Sequence, residues 1–207
     1  MDRDYEALSI RELGAGAGFR RPTQAQAAKV SIESPALEVM TDLRRTTPAT
    51  IRPQAPLAGA NQFMIARGVR LLLVVDDPEN VLGVITASDI LGERPMRVAI
   101  ERGMRRDELT VADVMVPAEQ VEVIALEDLS GVRVGHVLET LRRAGRQHAL
   151  VIDFDEIPSG RPLTPPARRA MVRGIFSLSQ IARQLGVRVA TGGEVARTFS
   201  EIGAAIK

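Results

Sequence analysis

Thr86 and Asp89 stand three residues apart, and so do Ser177 and Gln180. A hydroxyl followed at that spacing by an acidic or amide side chain is the pattern of a helix capping box. The same arrangement also suits ligand chemistry. Asp89 offers two charged acceptor oxygens, and the N–H groups of a first helical turn favour anions. The two readings are compatible, because a capped helix start is also an anion site. Gln180 can cap as well, but it brings one neutral acceptor oxygen and no charge. Arg70 would add a charge-assisted contact to such an anion, whereas His148, alone beside an apolar strand, reads as packed or hydrogen-bonded. No nucleophile or acid lies at a recognisable spacing from His148, and His136 carries no signal of its own.

The elements that must position these residues come as an internal repeat. The first copy reads Val39-Met40-Thr41, then Gly68 to Asp76, then Gly83-Val84-Ile85-Thr86 through Asp89 and Ile90. The second reads Val114-Met115-Val116, then Gly145 to Asp153, then Gly174-Ile175-Phe176-Ser177 through Gln180 and Ile181. In each copy an apolar helical stripe ends at a glycine (Gly68, Gly145), followed by a short buried strand, a second strand and a helix start. The order expected is strand, helix, strand, strand, helix, twice. The spacing between copies grows in the second hairpin, which places an insertion of 14 residues within 154–170. Its prolines and arginines predict an exposed irregular excursion. Arg161, Arg168, Arg169 and Arg173 read as solvated surface.

Composition narrows the function classes. The chain has 207 residues, 27 Lys plus Arg against 26 Asp plus Glu, and a formal net charge of +1. A balanced chain lacks the field that nucleic-acid binders use, and 3% aromatics leave few stacking platforms, so nucleic acid is not an expected partner. Cysteine is absent, which removes disulfides, thiolate nucleophiles and zinc–sulfur sites and is compatible with a cytoplasmic location. No apolar run approaches the roughly 18 residues of a membrane span, and no basic-then-apolar leader is seen.

Outside the repeats, residues 1–35 predict an arm. Their Gly14-Ala15-Gly16-Ala17-Gly18 run lacks the preceding strand and acidic partner of a nucleotide loop. The repeats span 36–92 and 111–186. Residues 93–110 predict a linking helix with Val98, Ile100, Met104 and Leu109 on one side. Val195, Phe199 and Ile202 predict a final amphipathic helix in the tail, 187–207. Met40 and Met115 are read as core fillers.

The ordered, repeated set resembles a tandem pair of cystathionine β-synthase (CBS) domains over about residues 36–186. The resemblance implies an α/β (α+β) fold of two βαββα repeats packed as a pseudo-twofold pair, here with an N-terminal arm and a C-terminal helical tail. It implies a non-catalytic regulatory module that binds an adenosine-containing ligand: AMP, ADP, ATP or S-adenosylmethionine. It assigns ribose hydroxyls to Asp89 and ribose or phosphate to Thr86, with Ser88 between them. Backbone contacts to adenine map onto Thr50 and Ile51 and onto Glu122 and Val123, and phosphate contacts onto Arg70 and His148. Ser177 and Gln180 occupy the second helix start, and the missing carboxylate there predicts a weaker site. A homodimer with a helical interface and an unidentified regulated protein are the partners expected. The competing reading is a dimerisation or interaction scaffold that has lost nucleotide binding.

Overall fold

The computed structural model describes residues 30–77, 80–157, 167–187 and 195–205. The first repeat contributes β1 (Thr41–Asp42), β2 (Thr50–Ile51), α1 (Leu57–Arg67), β3 (Leu71–Val75), β4 (Val81–Thr86) and α2 (Ala87–Leu91). Two connecting helices follow, α3 (Arg94–Arg102) and α4 (Val111–Val114). The second repeat contributes β5 (Val116–Pro117), β6 (Val123–Ala125), α5 (Val134–Ala144), β7 (His148–Ile157), β8 (Ala167–Ser177) and α6 (Leu178–Gln184), and α7 (Val195–Ala205) closes the described chain. Each repeat has the expected order of strand, helix, strand, strand, helix, preceded by one extra short strand.

Those short strands are exchanged. One sheet runs β2-β3-β4-β5 and the other β1-β8-β7-β6, so each repeat lends its leading strand to the sheet of the other. Within each sheet the strand before the helix pairs in parallel with the strand after it (β2 with β3, β6 with β7), and the following hairpin is antiparallel. Leu71, Leu73, Val75 and Val84 of one sheet form a core with Leu150 of the other, with Val172 and Ile175 packed against it. All of β3 is buried, which explains its unbroken aliphatic run. The outer face of each sheet is covered by its own helices.

Gly68 and Gly145 end α1 and α5 at φ of 64° and 61°, and each N–H bonds back to the helix's last turn. That left-handed conformation strains any residue with a Cβ, so the glycines fix where each helix stops and where β3 and β7 begin. The helix starts are stitched in parallel ways. Val134 and Gly135 donate to the carbonyls of Ser34 and Ile32, both at 2.9 Å, while Leu57 donates to Leu109 at 3.0 Å. Chain ahead of each repeat thus satisfies first-turn N–H groups that a helix cannot satisfy itself.

Three sequence expectations change, and the helix expected in the tail forms. The arm is not wholly separate: residues 30–35 lie against the second repeat, with Val30 and Ile32 packed on its core, and residues 1–29 fall outside the described chain. The linker is two segments, because Gly103 breaks α3 at φ 64°. Pro95 and Ala99 are its buried residues, Ile100 is 75% exposed, and Leu109 buries beyond the break. The apolar spacing had straddled two elements. The insertion begins and ends as sheet: β7 and β8 stay paired from Phe154↔Ala170 to Ile157↔Ala167. Asp155 faces Arg169 and Glu156 faces Arg168, and opposite charges on paired positions support a ladder. Residues 158–166 fall outside the described chain. In the tail, α7 forms, and Phe199 and Ile202 pack on the second repeat's core.

Candidate functional site

A cleft of about 250 Å³ opens where the start of α2 meets the second repeat. Thr86, Ser88 and Asp89 form one wall, with Leu71 and Val84 beneath. Val121 and Glu122, leading into β6, and Gly145 to His148, the turn between α5 and β7, form the other. Strand exchange creates this crossed arrangement, because β5 ties the start of the second repeat to β4 of the first.

The capping box at α2 is fully made. The Asp89 N–H donates to Thr86 Oγ1 at 3.3 Å, and the Thr86 N–H and hydroxyl donate to Asp89 Oδ2 at 2.8 and 2.6 Å. These bonds fix the rotamer of Asp89 and gather on one oxygen. Oδ1 has Arg94 Nη1 at 3.9 Å, and Arg94 is itself anchored by donating to the Met115 carbonyl at 2.9 Å. The Asp89 side chain is 20% exposed. The result is a rigid carboxylate with one oxygen committed to the helix.

The opposite rim carries Arg146, paired with Glu122 at 3.1 Å. Both are solvent-accessible, so this pair is weak and can rearrange around a ligand. His148 opens β7. Burial, and secondarily the Arg70 charge, push its pKa down to about 4, so it is neutral at pH 7. A neutral imidazole both donates and accepts. The site therefore combines a fixed carboxylate, an arginine on the rim, a neutral histidine and aliphatic walls. Among the described residues, no group of three His, Cys, Asp or Glu could hold a metal ion.

Of the residues singled out from sequence, Thr86, Ser88, Asp89, Glu122 and His148 come together here. Thr50 and Ile51 line a separate, shallower hollow of about 470 Å³ with Arg52, Ala55, Gly59, Phe63 and Val75. Val123 is 43% exposed on β6 and does not line the cleft; its neighbours Val121 and Glu122 do. Arg70 acts on His148 through its charge and is not a lining residue. Arg70 and His148 are also not counterparts. Register pairs Leu71 with Thr86 and His148 with Ser177, so His148 corresponds to Leu71 and Arg70 to Gln147. Arg146 and Gln147 were missed; counting forward from the two helix-ending glycines would have found them.

At the second helix start the side chains point elsewhere. Ser177 makes no cap, and its hydroxyl lies 3.1 Å from that of Ser179. Gln180 Oε1 instead accepts from the hydroxyl of Thr41, on the exchanged strand β1, at 2.9 Å.

A family model described as CBS domain matches residues 36–96. No curated protein matches the chain. Among solved structures, an uncharacterised conserved protein from Pyrococcus horikoshii is 21% identical, with a TM-score of 0.50, over 79% of this chain and all of that one. CBSX2 from Arabidopsis thaliana, solved in complex with AMP, is 16% identical over 72% of this chain and 94% of its own, with a TM-score of 0.46. The CBS domain pair of protein MJ0100, solved with 5'-methylthioadenosine and S-adenosyl-L-methionine, is 20% identical over 74% of this chain and 96% of its own, with a TM-score of 0.47. At these identities the likeness concerns the fold.

Proposed function

We propose that this chain, which carries a CBS domain at residues 36–96 and folds as a tandem CBS pair, is a non-catalytic regulatory module for an adenosine-containing ligand. The observation that carries the reading is the Asp89 carboxylate, locked by its capping box and facing a cleft whose far rim is Glu122 and Arg146. In this reading the ribose hydroxyls donate to Asp89, the adenine lies against Val121, Glu122 and Leu150, and Arg146 meets phosphate where the ligand has one. His148, neutral and half-enclosed, supplies a hydrogen bond and no charge. The ligand is AMP, ADP, ATP or S-adenosylmethionine, and its binding is read by a protein that associates with the module.

Self-association belongs to the same proposal. Ile65 on α1 is 72% exposed, and Leu91, Met96 and Ile100 on α2 and α3 are exposed as well. An apolar helical surface of this kind favours an isologous dimer through the first repeat. The setting is the cytoplasm, with which a chain free of cysteine is compatible.

Titration calorimetry with adenosine, AMP, ADP, ATP and S-adenosylmethionine tests the reading. One ligand of this set should bind saturably, and Asp89→Asn should weaken it with the fold intact. If every ligand fails on the folded wild type, the scaffold reading replaces this one.

A further inference from the structure

The second helix start differs from the first by more than one residue. Register makes β1 and β5 counterparts: Thr41 faces Ile175 as Val116 faces Val84, and Asp42 faces Gly174 as Pro117 faces Gly83. Thr41 and Gln180 in one half therefore stand where Val116 and Asp89 stand in the other. The valine cannot hydrogen-bond, and Asp89 is left facing its cleft. The threonine can, and its hydroxyl takes the acceptor oxygen of Gln180 at 2.9 Å.

Independent contacts hold β1 in the place this requires. Asp42 pairs with Arg173 through both guanidinium nitrogens, one contact being Nη2 to Oδ2 at 3.1 Å, and both side chains are mostly buried. The Leu43 N–H donates to the Arg173 carbonyl at 3.1 Å. The Met40 side chain lies over Gly174 so closely that a methyl group there would overlap it. The β5 residues Val116 and Pro117 have no side-chain donor or acceptor to copy these ties. With Gln180 drawn toward β1, Ser177 loses its capping partner and turns to Ser179.

We infer that Thr41 and Gln180 form an internal latch that withdraws the second helix start from ligand binding, so that the chain takes one adenosine-type ligand and not two. This rests on the proposed function of the first cleft. Gln180 is then not merely a weaker ligand group. Its only acceptor oxygen already takes one hydrogen bond from its own chain, and that bond holds the amide turned toward β1.

Two experiments on the full-length chain separate the latch from the function. The first needs no ligand: a double-mutant cycle in thermal unfolding with Thr41→Val, Gln180→Met and both. One hydrogen bond in a chain of this size is worth a Tm shift of about 2–4 °C. Each single variant should lose about that much, and the double no more than the larger single loss. Additive losses would overturn the latch. The second is the stoichiometry of AMP in titration calorimetry. The wild type should bind one per chain. The Thr41→Val/Gln180→Asp double variant, which rebuilds the valine and aspartate of the first half, should bind two. Gln180→Asp alone should stay near one, because Thr41 would still donate into the new carboxylate. Two sites in the wild type, or one in the double variant, would overturn the inference. No binding by the wild type would count against the functional reading, and the cycle would still decide the latch.

Discussion

The two outer helices α1 and α5 end on the same left-handed glycine and cover the same kind of sheet, yet they meet solvent differently. Three residues before the terminal glycine, α1 has Ile65, 72% exposed, whereas α5 has Arg142, paired with Glu139 at 2.7 Å. Ala58, Gly59 and Ala66 continue the uncharged exposed surface of α1, while Glu139 also holds Arg143 in the second half. The two helix starts differ in a matching way. Asp89 lines the cleft, with Oδ2 held by the capping box and Oδ1 3.9 Å from Arg94, and Gln180 is tied back to β1. The second half also carries the extra chain, with residues 30–35 and α7 both packed on it. Equivalent folds thus differ in what they leave open: the first repeat presents a carboxylate at a cleft and an exposed apolar face, and the second is closed by contacts within the chain.

That contrast can be broken most forcefully at Asp89. Hydrogen bonds to a charged group contribute about 1.5–3 kcal/mol, so Asp89→Ala should weaken the adenosine-type ligand by about ten- to a hundredfold. Gln180→Ala should leave affinity within about twofold, as read by calorimetry. Equal losses in the two variants would erase the difference between the halves.

Acid should next expose the cleft. His148 has its pKa depressed to about 4 from an ordinary 6.5. The unfolded chain therefore takes up the proton first. Stability is undiminished above pH 6.5 and falls as pH drops from there toward 4, by on the order of 3 kcal/mol. His148→Gln should flatten that part of the profile in urea unfolding, and an unchanged slope would show that the histidine is not held neutral. Asp42 behaves differently. Its hydrogen bond to Arg173 holds its pKa below the usual carboxylate value, so its tie to β8 persists to lower pH and is lost only as pH falls through that depressed value.

The apolar face gives a sharper test of the dimer. Ile65→Glu should shift the protein toward monomer in light scattering at micromolar concentration, while Arg142→Glu should not. If both act alike, the first repeat's face is not the interface. The smallest effect is expected at the glycines, where the halves should agree. Gly68→Ala and Gly145→Ala should each cost about 1–2 kcal/mol in chemical unfolding. Unequal costs would mean that one of the two helix ends is held by more than its glycine.

Much of this was legible from sequence because the repeat marks itself twice. Gly68 and Gly145, the aliphatic runs behind them, and the Thr86–Asp89 spacing all carry local signals with a period or a stop. The exchanged strands carry none: Thr41–Asp42 and Val116–Pro117 are two residues each, too short for alternation to register. Without them the crossing of the cleft cannot be seen, and Thr50 and Ile51 look like partners of Asp89 when Val121 and Glu122 stand opposite it. Thr41 and Gln180 are 139 residues apart, and nothing near either residue announces the other. The linker misled because Val98 to Leu109 reads as one stripe until Gly103 is given its left-handed turn. The ladder at 154–170 misled because Pro158, Pro162, Pro165 and Pro166 outweighed the paired charges at Asp155, Glu156, Arg168 and Arg169.

Under the proposed function, an adenosine-type ligand binds in the cleft at the start of α2. Amide chemical shifts of the isotopically labelled chain, followed during titration with AMP, test it residue by residue. Shifts should concentrate on Thr86, Ser88, Asp89, Glu122, Gln147 and His148, while Ser177, Ser179 and Gln180 stay in place. Shifts centred on Ser177 and Gln180, or on Thr50 and Ile51 with the α2 start unmoved, would contradict it.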